Sequence, residues 1–389
     1  MNRAAPRSIL ALVALSGMLV VFGGAGAAEP ESGHFVDPTA RLINAKRIHF
    51  GELVYVAPFA TLKAGTDGGQ RIVIGDGSDV QDNVLLDATG GTVRTGRDVI
   101  IAHGASVLGP AEIGVEGTCP EDAVICASFI SFNAQVDGAI IEKDAMVSGL
   151  SRVGPGVTIP SGLKTIAGRN IESQAEVAAE TTPVTEADRE FMSGVIHVNE
   201  AFELSYAQLA EEKRSNVKGI NYDPGGNDFN PERDLPVLAG TETRDPRFRN
   251  RIIGAVSMVD TYRRLDRHLG RNISLRADEG EPFSIGSILC MGNRTTFHAL
   301  EHTSLELGDA GCYGFRSIVH GGPTDNDDIT TTGDGFTLGA YSVYFRSTAG
   351  NDVSIGYRSL VQNTNLPDGA VVPARTVIVD GGVVGSVEW

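Results

Sequence analysis

The sequence predicts an all-β protein made of two parallel β-helices, with one α-helix packed beside the first. Two observations support this prediction. Apolar residues recur at every sixth position in two separate blocks of the chain, and the composition combines 48 glycines with only 6% aromatic residues. A six-residue period fits neither an amphipathic helix nor strand alternation, but it fits a hexapeptide β-helix, in which each hexad forms one short strand and one corner. The 389 residues, 41% of them hydrophobic, can fill more than one packed core.

The first 28 residues predict a secretory signal peptide rather than part of the fold. Two arginines precede an apolar run over Ile9–Phe22, and small residues follow up to a cleavage position after Ala27 or Ala28. A retained membrane anchor is the alternative, although the run is short for a bilayer span. No later segment reaches the roughly 18 uninterrupted apolar residues of a span. We therefore expect an exported protein, periplasmic or extracellular, without a membrane span in its mature form.

The overall charge excludes nucleic acid as an expected partner. The chain has 32 Lys and Arg against 49 Asp and Glu, a net charge of −17, and no basic run. Neutralising phosphate groups requires a basic face, which this composition does not supply.

Export changes how the four cysteines are interpreted. Cys119 and Cys126 flank a short polar insertion, and Cys290 and Cys312 form a second possible pair, so two disulfides are suspected. Four unpaired thiols are the alternative. Neither pair has the CxxC spacing of a zinc ribbon or a redox motif, so cysteine is not the expected metal ligand.

The first block of six-residue repeats predicts a β-helix domain over residues 29–221. Each large apolar residue is expected to point into a narrow prism, and small residues such as Ala145 and Ser151 are expected at the corners. A stripe with helical spacing from Phe191 to Leu209 predicts an amphipathic α-helix along the flank of this prism. The apolar positions of the block are Ile74, Val80, Ile101, Val107, Ile113, Ile141, Val147, Val153 and Ile159.

The same period returns in the second block and predicts a second β-helix over residues 251–389. From Leu338 the pattern continues, with one slip, to Ile378. The intervening residues 222–250 are rich in Pro, Gly, Asp and Asn and predict a linker. Ser257–Gly270 is ambiguous between a strand with a loop and a short basic helix.

Four strings in the first half resemble the γ class of carbonic anhydrases. Members of that class fold as a left-handed β-helix and bind a metal with three histidines. The resemblance therefore implies left-handed β-helices and, because it extends to both halves, a fused duplicate. The strings are IGDGSDVQDNVLL from Ile74, AHGASVLGPAEIG from Ala102, VGPGVTIPSG from Val153 and NEAFELSYAQLAEE from Asn199.

In the first half, the resemblance implies only part of a metal site. A Gln-Asp pair precedes the first histidine in the family, and the second and third histidines lie five residues apart. Gln81 and Asp82 match the pair, and His103 matches the second histidine. Asp87 and Leu108 stand where the family has the first and the third.

The second half has the complementary histidines. TFHALE puts His298 at the first ligand position, and YGFRSIVHGG puts His320 at the third but Phe315 at the second. In the family, one subunit supplies the first and third histidines and its neighbour supplies the second. The resemblance thus implies one metal site in which the two halves share His103, His298 and His320. Zn²⁺ is the expected metal, with Fe²⁺ or Co²⁺ as alternatives.

The activity implied by the resemblance is the reversible hydration of CO2 to bicarbonate by a zinc-bound hydroxide. Three neutral imidazoles leave the fourth tetrahedral position of Zn²⁺ to water, whose pKa the metal lowers. Glu301 occupies a position where the family has an acidic proton-transfer residue, and Glu279 is a second candidate for that role. Gln81 is the candidate to orient the hydroxide.

The string SLRADEGEPFSIG from Ser274 resembles the family's arginine and acidic-loop sequence. Its arginine, Arg276, is expected to play a structural role, paired with an acidic residue such as Asp278 or Asp82 at the interface between the β-helices.

The spacing of cysteines and histidines in the second half supports a common register. Cys290 and Cys312 each lie eight residues before a histidine, His298 and His320 respectively. If the histidines stack on adjacent coils, the cysteines do so as well, at the roughly 4.8 Å spacing of neighbouring strands. That spacing lies within the Cα range of a disulfide.

Two other functions remain open at this stage. A β-helix scaffold that assembles other proteins without binding metal is the stronger alternative. Hexapeptide acyltransferases also use this fold with one histidine as base, but an exported protein would lack their coenzyme A donor. The γ class forms rings of three β-helices, so we expect an oligomer or pseudo-oligomer, in which either another chain completes a ring or the fused pair stands alone.

Overall fold

The predicted architecture of two parallel β-helices, with an α-helix after the first, is confirmed in the computed structural model of the chain. The structure describes residues 33–121, 123–222, 242–245, 247–279, 281–301, 303–322 and 329–389. The predicted signal peptide and most of the predicted linker lie outside these residues. Within them, no helix is long and apolar enough to cross a bilayer.

The first β-helix is a prism with three sides, here called sheets N1, N2 and N3, and each full coil adds one short strand to every side. All strands within a sheet are parallel except the last strand of N1. Sheet N1 contains His34–Val36, Val54–Val56, Asp79–Val80, Val99–Ile101, Ser128–Ile130, Met146–Val147, Leu163–Thr165 and Thr181–Pro183. Sheet N2 contains Arg41–Ile43, Thr61–Lys63, Leu85–Asp87, Ser106–Leu108, Gln135–Asp137, Arg152–Val153 and Asn170–Ile171. Sheet N3 contains Ile48–Phe50, Ile72–Ile74, Val93–Thr95, Ala111–Ile113, Ile140–Ile141 and Thr158–Ile159.

The second β-helix also has three sides, sheets C1, C2 and C3, and its strands are parallel except for the strand at each end of C1. Sheet C1 contains Glu242–Asp245, Ile220–Tyr222, Arg251–Gly254, Ser274–Ala277, Thr296–Ala299, Ile318–Gly321, Val343–Phe345, Leu360–Gln362, Thr376–Val379 and Gly382–Ser386. Sheet C2 contains Val256–Met258, Phe283–Ile285, Ser304–Leu307, Ile329–Thr332, Thr348–Ala349 and Asn365–Leu366. Sheet C3 contains Ile288–Met291, Gly311–Tyr313, Thr337–Leu338, Ser354–Ile355 and Val371–Val372.

The six-residue period explains the prism because each hexad places one large apolar side chain inside it. Val107, for example, pairs in register with Leu86 and Val136 on the adjacent coils, and all three are fully buried. Asn83 and Asn133 turn corners with positive φ angles of 59° and 50°, a conformation that asparagine tolerates better than most residues.

Among the residues that the structure describes, three α-helices accompany the prisms: α1 (Val177–Glu180), α2 (Glu186–Glu212) and α3 (Tyr262–His268). Helix α2 begins with a capping box, since the Thr185 hydroxyl accepts from the Asp188 amide and the Asp188 carboxylate accepts from the Thr185 amide. Its apolar stripe is buried against sheet N1, as the sequence predicts for this helix. The ambiguous stretch Ser257–Gly270 contains both predicted alternatives, the end of a strand and a short helix.

The predicted boundary and linker contain strands of the second prism. Ile220–Tyr222 pairs with Arg251–Gly254 in parallel and with Glu242–Asp245 in antiparallel orientation, so the chain joins sheet C1 before residue 223. Both suspected disulfides are present, Cys119–Cys126 and Cys290–Cys312. The second joins adjacent strands of sheet C3, with a Cα–Cα distance of 4.5 Å.

Buried polar side chains join the two prisms. The Asn83 side-chain amide donates to the carbonyl of Asn272 over 3.3 Å, and the Asn133 amide donates to the carbonyls of Arg316 and Tyr341 over 3.0 and 3.2 Å. The same two asparagines turn corners of the first prism. Its corners therefore satisfy backbone groups of the second prism, which fixes the relative height of the coils.

Candidate metal centre

Three buried histidines meet where the two prisms touch. His103 follows strand Val99–Ile101 of sheet N1, whereas His298 and His320 lie on adjacent strands of sheet C1 and are direct partners in the ladder. Their exposed fractions are 1%, 3% and 3%. They form the one group of at least three potential metal ligands found in the described part of the chain.

The spacing of the imidazole nitrogens fits a tetrahedral metal. His103 Nε2 lies 3.3 Å from His298 Nδ1, which lies 3.2 Å from His320 Nε2. Tetrahedral Zn²⁺ with Zn–N bonds of about 2.0–2.1 Å holds its ligand nitrogens about 3.3–3.4 Å apart. The three histidines therefore match the donor type and the number of a three-imidazole zinc site, and the two distances from His298 match its spacing.

Each imidazole also contacts an oxygen through its other nitrogen. His103 Nδ1 lies 3.1 Å from Asp82 Oδ2, and His298 Nε2 lies 3.0 Å from Glu279 Oε1. His320 Nδ1 contacts the carbonyl of Gly321. An acceptor at the outer nitrogen holds the proton there, so that the inner nitrogen presents its lone pair, as is usual for histidines that bind metals.

The pKa values divide the three histidines into two neutral rings and one cation. Burial lowers the pKa of His103 to about 4 and that of His320 well below its ordinary value. Burial also opposes charge on His298, but Glu279 and Asp278 outweigh it and raise the His298 pKa to about 9. Without metal, protonated His298 can donate to a neutral neighbour, and binding a metal requires loss of that proton.

A buried ion network supports the centre from both prisms. Arg276 binds Asp82 of the first prism over 2.7 Å and Asp278 of its own prism over 2.9 Å, and all three are at most 1% exposed. Burial alone would raise the pKa of Asp278, but Arg276 and His298 hold it at about 2. Tyr206 of α2 donates to Asp278 over 2.6 Å, so the helix is tied to the same network.

A small cavity of about 20 Å³ adjoins the histidines, enough for one water molecule. Gln81, Asn199 and Glu279 supply its polar groups besides the histidines and Arg276. Its apolar wall is formed by Phe129, Phe132, Phe191, Val195, Val198 and Leu300.

The other residues singled out by sequence are distributed as follows. Gln81 and Glu279 line the cavity, whereas Glu301 lies outside its lining, where its amide donates to Glu279 Oε2 over 2.9 Å. Asp87 binds Lys63 over 2.9 Å, and Leu108 is its neighbour in sheet N2. Phe315, the residue at the remaining ligand position, stacks edge-on against Tyr341.

Sequence reasoning missed the apolar wall and Asn199. Phe129 and Phe132 belong to the coil after His103, because Ser128–Ile130 pairs with Val99–Ile101. The polar insertion around the first disulfide separates these coils and hides their common phase. Asn199 stands in a string that resembles the family, and the signal that could have found it is its place on the buried face of α2.

Comparison with known proteins gives two curated relatives and no matching family model. A carbonic anhydrase of Methanosarcina thermophila is 29% identical over 198 residues, which cover 46% of this chain and 71% of that protein. The carboxysome assembly protein CcmM of a Nostoc species is 28% identical over 191 residues, covering 46% of this chain and 31% of that protein. The chain thus spans about a third of the carboxysome protein's length.

Among solved structures, a hexapeptide transferase family protein from Anaplasma phagocytophilum is 22% identical, with a TM-score of 0.32 over 44% of this chain and 91% of that chain.

The motif strings, the six-residue coils and the curated relatives agree with one another. They support a γ-class carbonic-anhydrase-like hexapeptide β-helix family for this chain, which is similar to both curated relatives.

Proposed function

We propose that the protein catalyses the reversible hydration of CO2 to bicarbonate at a metal ion, expected to be Zn²⁺, held by His103, His298 and His320. The observation that carries this proposal is the convergence of three buried imidazole nitrogens from two β-helices, at distances of 3.2 and 3.3 Å. The relative named carbonic anhydrase supports the same assignment.

The chain's own residues orient the histidines and shape the cavity beside them. When bound, Zn²⁺ supplies Lewis-acid chemistry that makes water nucleophilic at neutral pH. Asp82 and Glu279 hold protons on the outer nitrogens of two histidines, which keeps the inner nitrogens free to bind metal. The phenylalanine wall gives the cavity an apolar side suited to CO2, and the Gln81 amide is available to orient the attacking water.

The two acidic residues near His298 suggest a route by which a proton leaves the site. Glu279 is only 3% exposed, whereas Glu301 is partly exposed and its amide binds Glu279. In this proposal Glu279 takes the proton inside the cavity and Glu301 passes it on to solvent.

A metal-free scaffold is the second candidate function. It is favoured by the relative named as a carboxysome assembly protein and by the lack of histidine at the other three ligand positions of the two halves, where Asp87, Leu108 and Phe315 stand. A scaffold needs the side-by-side prisms but no metal, so metal content separates the two functions.

Zinc content and CO2 hydration test the proposal together. Protein purified without chelator is expected to contain about one zinc per chain, and stopped-flow assays are expected to show CO2 hydration. His103→Ala should lose both, although it lies 195 residues from His298. The control His197→Ala removes an exposed histidine of α2 and should keep both. Zinc near zero after zinc is offered, or full zinc in His103→Ala, would overturn the shared site.

We also propose that the protein acts outside the cytoplasm. The pattern of residues 1–28 and the two disulfides support this, because disulfides persist in oxidising compartments. The mass of the protein purified from its native cells should correspond to cleavage after Ala27 or Ala28. An uncleaved chain in the cytoplasm would contradict export.

A further inference from the structure

A second and larger cleft lies between the two β-helices, next to the metal cavity. Its volume is about 480 Å³, against about 20 Å³ for the cavity beside the histidines. Phe129, Phe132 and Phe191 line both spaces and form the wall between them. Organic ligands occupy clefts of roughly 300–1,000 Å³, so this one has room for a molecule far larger than CO2.

The walls of the cleft are mainly apolar and come from both prisms. The ring of Phe132 lies 5.4 Å from that of Phe345, so the two prisms meet at the inner end of the cleft. Further apolar side chains along it are Met146, Ile166, Ala167, Leu360, Val379 and Val384. The cleft therefore suits a ligand with an apolar body.

The two basic side chains that line the cleft, Lys164 and Arg346, differ in whether an acidic residue pairs with them. Lys164 is neutralised by Asp188, with Nζ–O distances of 2.6 and 2.8 Å. Arg346 has no carboxylate within 4.0 Å in the described part of the chain, and its buried Nε has no hydrogen-bond partner there. Asp380, the other acidic residue of the lining, binds the Asn363 amide.

Arg346 is held at a fixed place beside the metal centre. Its backbone amide donates to the carbonyl of His320 over 2.9 Å, and its φ of 48° places it at a corner. A guanidinium that is partly buried without a counter-ion among the described residues favours an anion, and a carboxylate fits its planar donor fork. The chain carries a net charge of −17, so this local positive charge is needed for any anion to bind here.

We propose that the cleft binds an amphipathic organic carboxylate, such as a medium-chain fatty acid. Its apolar body lies between the two prisms, and its carboxylate pairs with the guanidinium of Arg346. This site is distinct from the metal ligands, and the proposal stands whether or not the protein hydrates CO2.

Binding of decanoate tests this proposal, with calorimetry as the readout and the single tryptophan as a second one. Trp389 packs against the apolar cluster that contains Phe129, Phe132 and Leu360, so its fluorescence should change when the cleft fills. Decyltrimethylammonium has the same tail but the opposite charge and should bind at least about tenfold more weakly.

Two variants separate the charge from the apolar cleft. Arg346→Gln should weaken decanoate binding at least about tenfold. Arg375→Gln is the matched control, because Arg375 has a similar φ of 64° but does not line the cleft, and it should bind decanoate normally. Gly149→Met should block binding by filling the cleft. An added Cβ at Gly149 would meet its nearest atom, in the Leu360 side chain, at 3.7 Å, an ordinary contact, so this variant should fold.

Several results would overturn the proposal. These are no decanoate binding at all, equal affinity for the cationic analogue, and unchanged affinity in Arg346→Gln. A Gly149→Met variant that changes the oligomeric state but not decanoate affinity would show instead that a second copy of the chain covers the cleft. None of these measurements uses activity or bound metal, so failure here is distinguishable from failure of the proposed function.

Discussion

Asp82 connects a metal ligand of one prism to the ion network of the other, so its carboxylate is the most informative single group to change. It is fully buried and contacts His103 Nδ1 at 3.1 Å, Arg276 at 2.7 Å and the Ser274 hydroxyl at 2.5 Å. Burial alone would raise its pKa, but Arg276 and His103 hold it well below its usual range. Asp82→Asn therefore removes a full charge at neutral pH while keeping the size of the side chain.

Asp82→Asn should lower both the stability of the fold and the affinity for metal, and the two effects can be measured separately. Removing one partner of a buried ion pair costs about 3–5 kcal/mol when a charge is left unpaired. Asp278 still binds Arg276 over 2.9 Å, so we expect a smaller fall in the free energy of unfolding, about 2–3 kcal/mol. The loss of the anionic carboxylate behind His103, which leaves one neutral amide oxygen to serve His103, Arg276 and Ser274, should also weaken metal binding by about 10–100-fold.

The assays are denaturant unfolding of the metal-free protein and zinc competition with a chelator under native conditions. Asp87→Asn is the matched control, because Asp87 belongs to the same prism and pairs with Lys63 nearer the surface. It should cost at most about 1 kcal/mol and leave zinc affinity unchanged. If Asp82→Asn unfolds like the wild type and binds zinc equally well, the carboxylate neither supports His103 nor joins the prisms.

Three further predictions concern stability. Burial raises the pKa of Asp98 to about 6 from an ordinary value of 3.8, so its ionisation destabilises the fold as pH rises from about 4 to 6. Asparagine tolerates the φ of 56° at this position. The Asp98→Asn variant should therefore exceed the wild type in free energy of unfolding by about 1 kcal/mol at pH 7, after allowance for partial exposure, and equal it at pH 4. A difference that does not change with pH would refute this. Thr185→Ala removes the capping box of α2 and should lower the free energy of unfolding, measured in urea, by about 1 kcal/mol. An unchanged free energy of unfolding would mean that this end of the helix is frayed. Adding zinc at 100 times its Kd should raise the free energy of unfolding by about 2.7 kcal/mol. A melting temperature that does not change with zinc would argue against a zinc site in the folded protein.

Much of the fold could be predicted because it follows from patterns of apolar residues over short stretches of sequence. The hexad period depends only on which residues enter a prism, and it located both β-helices. The apolar stripe of α2 likewise follows from helical spacing alone. Ser257–Gly270 stayed ambiguous because it contains a strand end and a helix, each too short to establish a period.

The sequence by itself determined that the chain has two coiled domains, and the resemblance of the local strings around His103, His298 and His320 to the γ class implied that these domains carry complementary histidines. It also determined which residues stack, because Cys290 and Cys312 share the register of His298 and His320. Only the tertiary structure decided that nitrogens 195 residues apart lie at 3.3 Å, that Arg276 binds both Asp82 and Asp278, and that Phe132 separates a small cavity from a large cleft. These contacts depend on how one prism docks against the other. Docking is fixed by corner asparagines and buried ion pairs that no local period encodes.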